Sequence, residues 1–339
     1  MFSKYLKIKS FGIFGFALGM LALAGCSQKG GAPELLGADA TPISSNSPAA
    51  TTNNAESFQP KVSVQKLIYH VGPVNLLAGE DAEEMAEKPV KLNFQVSEPV
   101  WVIAFEPKIL DANGRELPGR LLHKAILSNK HDENPVCASS AAGNPFAVAT
   151  STLTKVELPE GFGYPLLPED PLEAKVVFQN KTGQDYVDVT FAFELTTIPI
   201  DKTVGYHDLK TILIDTDPCE YKPISLEPGK FLPKTETVTV AKGGNLVVAN
   251  GVLSDYGVSV ALTHQAGGQI TLVPFWRAEA EFDAEHQIIN LSPNPFIDIA
   301  GKKIANGDKL TLDVVFDNYS DEWKNAATGA AMIYLAPAP

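Results

Sequence analysis

Val90-Lys-Leu-Asn-Phe-Gln-Val96 and, a few residues on, Val100-Trp-Val-Ile-Ala-Phe105 decide the fold class. The first alternates apolar and polar residues, the period of a strand with one buried face. The second is an apolar run of strand length, rich in β-branched and aromatic residues. Asp111-Ala-Asn-Gly114 then supplies a turn signal. Working outward, the same grammar recurs at residues 62–70, 121–127, 146–158, 172–178, 186–195 and 211–214. After a proline-bearing stretch, 223–233, it returns at 236–240, 245–248, 258–263, 269–274, 288–291, 309–316 and 331–335, with turns at Gly267-Gly268 and Asn306-Gly307. Segment 79–88 carries Glu80, Asp81, Glu83, Glu84 and Glu87 and reads either as a short helix or as a solvated acidic loop. Many short strands with regular turns predict an all-β chain of sandwiches or barrels. A length of 339 residues suits two such domains, expected at 60–230 and 231–339 with 223–233 between them. No short repeat period argues for a solenoid.

Upstream of the strands the character changes. Lys4, Lys7 and Lys9 precede an apolar run from Phe11 to Ala24, the charge-then-apolar order of a secretory signal. The run is shorter than the roughly 20 residues a spanning helix needs. It ends in Leu23-Ala-Gly-Cys26, which resembles the lipobox of bacterial lipoproteins. That resemblance implies a signal peptide over residues 1–25 and a mature chain starting at a lipidated Cys26, carrying palmitate-type acyl chains. Ser27, where aspartate would otherwise stand, resembles the pattern that sends such proteins to the bacterial outer membrane. Residues 26–59, rich in Ala, Ser, Thr, Asn, Pro and Gly, read as a flexible tether.

Charge and cysteines narrow the function classes. The formal net charge is −13, and losing the three leader lysines takes it to −16. Such a surface excludes nucleic-acid binding, which needs Lys and Arg to neutralise phosphates, and leaves the acyl chains to hold the membrane. With Cys26 lipidated, Cys137 and Cys219 remain. In an exported protein the simplest arrangement is one disulfide between them, the alternative being two buried free thiols.

Six stretches, taken in order, carry a further resemblance. In the first half they are Leu121-Leu-His-Lys-Ala-Ile-Leu127, Pro159-Glu-Gly-Phe-Gly-Tyr164 and Val176-Val-Phe-Gln-Asn-Lys-Thr182. In the second they are Asn250-Gly-Val-Leu-Ser-Asp-Tyr-Gly257, Gly307-Asp-Lys-Leu-Thr-Leu-Asp-Val-Val-Phe-Asp-Asn318 and Gly329-Ala-Ala-Met-Ile-Tyr334. Together they resemble the copper type II, ascorbate-dependent monooxygenases, the family that includes peptidylglycine hydroxylating monooxygenase. Cys137 and Cys219 also fall where that family carries cysteines. The resemblance implies two tandem jelly-roll-like β-sandwich domains, each holding one copper. The first copper site takes two adjacent histidines and a third from a later strand, positions occupied here by Leu122, His123 and Gln179. The second takes His-x-His and a methionine, here Val252, Ser254 and Met332. Imidazole and thioether are copper ligands, whereas leucine and valine have no donor atom and serine and glutamine are poor ones. His123 and Met332 are therefore remnants that assemble neither centre.

No Gly-x-Ser-x-Gly, Walker-type or His-Glu-x-x-His pattern offers another chemistry. His123 on an apolar strand and Met332 among alanines read first as core residues. The expectation is an outer-membrane-anchored envelope lipoprotein, a pseudoenzyme acting as a binding or structural module for an unknown envelope ligand or protein, with no catalytic residue, no metal and no cofactor. The alternative is a copper-dependent oxidoreductase with rearranged ligation, the one reading that requires copper. A third reading is a different jelly-roll module, such as a carbohydrate binder, which would expose Trp276 and Tyr319 on one concave face.

Overall fold

In a computed structural model the described residues are 63–80, 85, 88–137, 143–216, 224–267 and 273–337. The leader, Cys26, the tether, most of the acidic segment 79–88 and Cys219 lie outside them. The two opening stretches become strands on opposite sheets. β2 (Val90–Phe94) turns Val90, Leu92 and Phe94 towards the core and its lysine and asparagine outward, while β3 (Val100–Leu110) is buried along most of its length.

Sheet 1 runs β1 (Gln65–Leu76), β9 (Tyr186–Pro199), β3, β7 (Phe162–Leu166) and β10 (His207–Asp208), with β6 (Val156–Glu157) also on β3. Sheet 2 runs β2, β8 (Leu172–Phe178), β4 (Leu122–Asn129) and β5 (Asn144–Ala149). Early and late strands thus alternate within each sheet, the double Greek key of a jelly roll. The second sandwich repeats the plan. Sheet 3 is β11 (Lys210–Asp215), β21 (Gly329–Pro337), β14 (Gly244–Leu253) and β18 (Phe296–Ile304). Sheet 4 is β13 (Lys230–Thr239), β19 (Lys309–Asn318), β15 (Gly257–Gln265), β16 (Trp276–Phe282) and β17 (Ile288–Ser292), and a small ribbon pairs β12 (Ile224–Leu226) with β20 (Lys324–Ala327). The all-β, tandem jelly-roll architecture expected from the sequence is the one observed. No helix among the described residues is long and apolar enough to cross a membrane.

Each sandwich closes over its own core. In the first, Phe193 stands between Tyr69 (5.2 Å), Phe94 (5.3 Å) and Phe105 (6.5 Å). In the second, Phe316, Leu312 and Leu310 of β19 meet Ile333, Leu335 and Leu246 from sheet 3. A third apolar layer lies between the sandwiches, where the outer face of sheet 2 meets the outer face of sheet 3. β21 shows its effect most clearly. Ala331, Ile333 and Leu335 point into the second core, while Ala330, Met332, Tyr334 and Ala336 point into the middle layer. Strands covered on both faces lose their polar alternation: β5 and β21 are mostly apolar, and β4 is buried at every residue although it carries His123, Lys124, Ser128 and Asn129.

Several expected boundaries move. The sandwiches divide between Asp208 and Lys210, not at residue 230, because Ile212 and Ile214 of β11 belong to the second core and β11 pairs with β21. The stretch 223–233 is largely strand, in β12 and β13, rather than a connection. The run 146–158 breaks into β5 and β6 across a turn in which Leu153 has φ 48°. Strand β16 begins at Trp276, after the expected 269–274, of which residues 269–272 lie outside the described residues. Replacing Phe193 by alanine removes a fully enclosed ring and should lower unfolding free energy by about 3–5 kcal/mol, read from denaturant midpoints at unchanged m-value.

Candidate functional site

Of the six positions matched to copper ligands, Val252 and Met332 lie in the middle layer and Gln179 reaches across it. Leu122, fully buried, points into the first core. His123, 2% exposed, follows it on β4. Gln179 follows β8 and is 1% exposed, with its amide donating to the Arg120 carbonyl (3.1 Å) and to Asp255 (3.2 Å) across the sandwich boundary. Val252 and Met332 pack in the layer itself. Ser254 is held by Thr328, whose N–H donates to the serine oxygen at 2.7 Å. The donor set does not fit copper: one imidazole and one thioether stand among side chains that are packed or hydrogen-bonded otherwise. Among the described residues no three His, Cys, Asp or Glu side chains are placed to share a metal ion.

His123 is a neutral imidazole. Burial pushes its pKa down to about 3, with the charges of Lys124 and Lys181 adding to the effect. Its Nδ1 and the Gln179 Oε1 are buried with no hydrogen-bond partner, and such groups are uncommon in folded proteins. Several other polar groups of the layer are paired across it. Lys124 makes an ion pair with Asp215 and donates to Thr328 Oγ1 at 3.1 Å. Tyr334 Oη donates to the Phe146 carbonyl (2.9 Å), Thr211 Oγ1 to the Pro145 carbonyl (2.7 Å) and Asn144 Nδ2 to Thr211 Oγ1 (2.9 Å). Lys181 reaches Asp255 at 2.7 Å.

Where the sandwiches diverge, the rim opens into a cleft of about 480 Å³. Val136, Ile212, Val240 and Leu335 floor it, with Asp132 and Glu133 on the first sandwich and Lys210 and Lys242 on the second. Its lip is preformed: Asn134 Oδ1 accepts from the N–H groups of Val136 (2.9 Å) and Cys137 (3.0 Å), and Tyr164 Oη donates to Asp132 (2.9 Å). Burial, with the Asp132 charge, pushes the Tyr164 hydroxyl well up, so it stays a donor. Cys137 is disulfide-bonded; its expected partner Cys219 is outside the described residues. A second rim cleft of about 450 Å³ lies beside Phe162, Tyr206 and Ile299, where Tyr206 stacks on Trp101 at 5.2 Å. Neither cleft was singled out in the sequence, because each is built from loops and strand edges of both sandwiches. The one linear signal was the polar run His131–Asn134 after β4.

Trp276 and Tyr319 do not share a face. Trp276 is 5% exposed in the second core, donates to the Pro293 carbonyl at 2.9 Å, and lies over Gly251, where an added Cβ would meet it at 2.5 Å. Tyr319 is 48% exposed.

No family model and no curated protein matches the chain. Among solved structures it is similar to the major capsid protein P2 from Bacteriophage PM2, at 8% identity and TM-score 0.31 over 80% of this chain and 98% of that one. It is also similar to peptide:N-glycanase F, at 10% identity and TM-score 0.39 over 80% and 96%. A third is the STIV major capsid protein, at 9% and 0.33 over 81% and 96%. These are capsid proteins and a glycanase rather than copper monooxygenases, and no function is carried over from them.

The buried groups give two expected outcomes. Lys124→Met alone leaves Asp215 buried without its countercharge and should cost about 3–5 kcal/mol, while Lys124→Met with Asp215→Leu should recover most of that loss, as denaturant unfolding of both variants will read. His123 takes a proton in the unfolded chain near its ordinary value of 6.5 but in the folded protein only near 3. Stability from this group is therefore fully present above about pH 6.5 and falls as pH drops towards 3. His123→Leu should flatten that part of a Tm-against-pH curve.

Proposed function

We propose that the mature chain is a lipid-anchored envelope protein whose two sandwiches act as a non-catalytic binding module, on a scaffold resembling the copper monooxygenases. The observation that carries the non-catalytic part is the middle layer. At the positions matching copper ligands it has apolar packing, a neutral histidine and hydrogen-bonded Gln179 and Ser254. The ligand groove of this reading is the 480 Å³ rim cleft. An apolar floor between two carboxylates and two lysines suits a compact ligand with an apolar body and polar ends. The membrane part rests on Leu23-Ala-Gly-Cys26 and Ser27, and places the protein on the outer membrane through acyl chains at Cys26.

Copper loading of the full-length protein, followed by dialysis and metal analysis, should leave far less than one copper per chain and no ascorbate-dependent oxygen uptake. Stoichiometric copper that is lost in His123→Ala would sink the reading. Separately, Cys26→Ala should abolish acyl labelling and move the protein from the membrane to the soluble fraction. Acyl labelling that persists in that variant would refute the anchor.

A further inference from the structure

Four non-glycine residues among those described have positive φ: Leu153, Asp188, Tyr256 (69°) and His286 (58°). The last two occupy turn positions that glycine or asparagine fills at least steric cost, and both put an aromatic ring there. Tyr256 sits in the turn after β14, where the Gly257 N–H donates to the Ser254 carbonyl (3.0 Å) and the Tyr256 carbonyl accepts from Asp317 N–H (2.8 Å). His286 sits in the β16–β17 turn, fixed by Asp283 Oδ1 accepting from the N–H groups of Glu285 (3.0 Å) and Gln287 (2.8 Å). These separate turns send their rings to the same place. Tyr256 lies 5.7 Å from Tyr319, and His286 lies 4.7 Å from Tyr319 and 6.3 Å from Phe282.

The result is a row of rings, Tyr256, Tyr319, His286 and Phe282, along one end of the second sandwich. Tyr319 is 48% and Phe282 38% exposed, and Trp323, in the loop that follows Tyr319, is 62% exposed. A row of this size would ordinarily be buried, since exposed apolar surface gains by leaving water. Here Tyr319, Phe282 and His286 are held in solvent, with Tyr256 half-buried against the second core, and two of the turns accept backbone strain to place their rings, strain of a kind that clusters at functional sites. Asp283 and Asp317 flank it, with Asp255 behind them, buried and paired with Lys181; all three act on the Tyr319 hydroxyl, whose pKa is raised by burial first and then by these charges. Flat rings beside fixed hydrogen-bond acceptors suit a sugar ring, which offers a C–H face to stack and hydroxyl groups to donate. Lys181 lies 5.4 Å over the Tyr256 ring but is paired with Asp255, and the carboxylates of Asp283 and Asp317 disfavour anionic polymers and a second copy of the same patch. The row also lies far from where the chain enters the fold. Gln65 opens β1, whereas Asn180, next to Lys181 of this end, donates to the Leu76 carbonyl at the close of that strand, about 40 Å along for twelve residues.

We infer that this row is a binding site for a neutral glycan chain, separate from the rim cleft and independent of whether the cleft binds anything. Rings fixed before binding reduce the ordering cost of capture.

Full-length protein in detergent, applied to cellulose, chitin, curdlan and an array of neutral oligosaccharides, should be retained on at least one of them, with a shift in Trp323 fluorescence. Polygalacturonate should not compete. Tyr319→Ala should weaken retention at least tenfold. His286→Gly is the discriminating variant: it relieves the left-handed backbone, so the unfolding midpoint should hold or rise while retention falls at least fivefold. A merely structural histidine would leave retention unchanged, and that result overturns the proposal. So does retention on none of the neutral glycans, or binding only to poly-L-lysine, which would mark a cation site instead.

Discussion

Sheets 2 and 3 are covered on both faces along β4, β5, β14 and β21, and the whole molecule is shaped by what that costs. A strand with a solvated side can carry any polar residue there; a strand between two cores cannot, because a buried polar group without a partner loses its hydration for nothing. Almost every polar side chain in the middle layer is therefore tied to one on the other side: Lys124 to Asp215 and Thr328, Asn144 to Thr211, Gln179 to Asp255. These ties make the layer specific in register as well as apolar. What room remains is at the rims, where the sheets diverge.

The fold was legible wherever a strand met one of two clear environments. β2 alternates because one side is solvated, and β8, expected at 172–178, is found at Leu172–Phe178. Misreadings fall where tertiary context decided the structure. β13 carries Pro233, which argues against a central strand, yet Pro233 sits opposite Val315 on a strand paired on one side only. β18, also an edge strand, carries Gly301 at φ 76° beside Asn245 and shows no clean alternation. The domain boundary was placed by proline content, whereas the chain changes sandwich at β11, where its isoleucines find the second core.

The candidate sites were legible to very different degrees. Of Leu122, His123, Gln179, Val252, Ser254 and Met332, the positions the resemblance points to, Val252 and Met332 lie in the middle layer and Gln179 reaches across it to Asp255. Their chemistry followed from residue type alone, and the burial of His123 adds the direction of its titration. The ring row was hidden because its members come from three separate loops, and positive φ at Tyr256 and His286 leaves no mark that composition or periodicity registers. Trp276 shows the converse error: a tryptophan that looked available in one dimension is enclosed over a glycine in three.

β21 occupies the centre of sheet 3, between β11 and β14, and fills both the second core and the middle layer. A chain made from its N-terminus can complete the first sandwich as soon as β10 is in place, but every surface that β21 covers stays open until residues 329–337 arrive. The second jelly roll and its union with the first are thus one event in time, gated by a single late strand. Until then the part of the middle layer that Met332 and Tyr334 fill stays open.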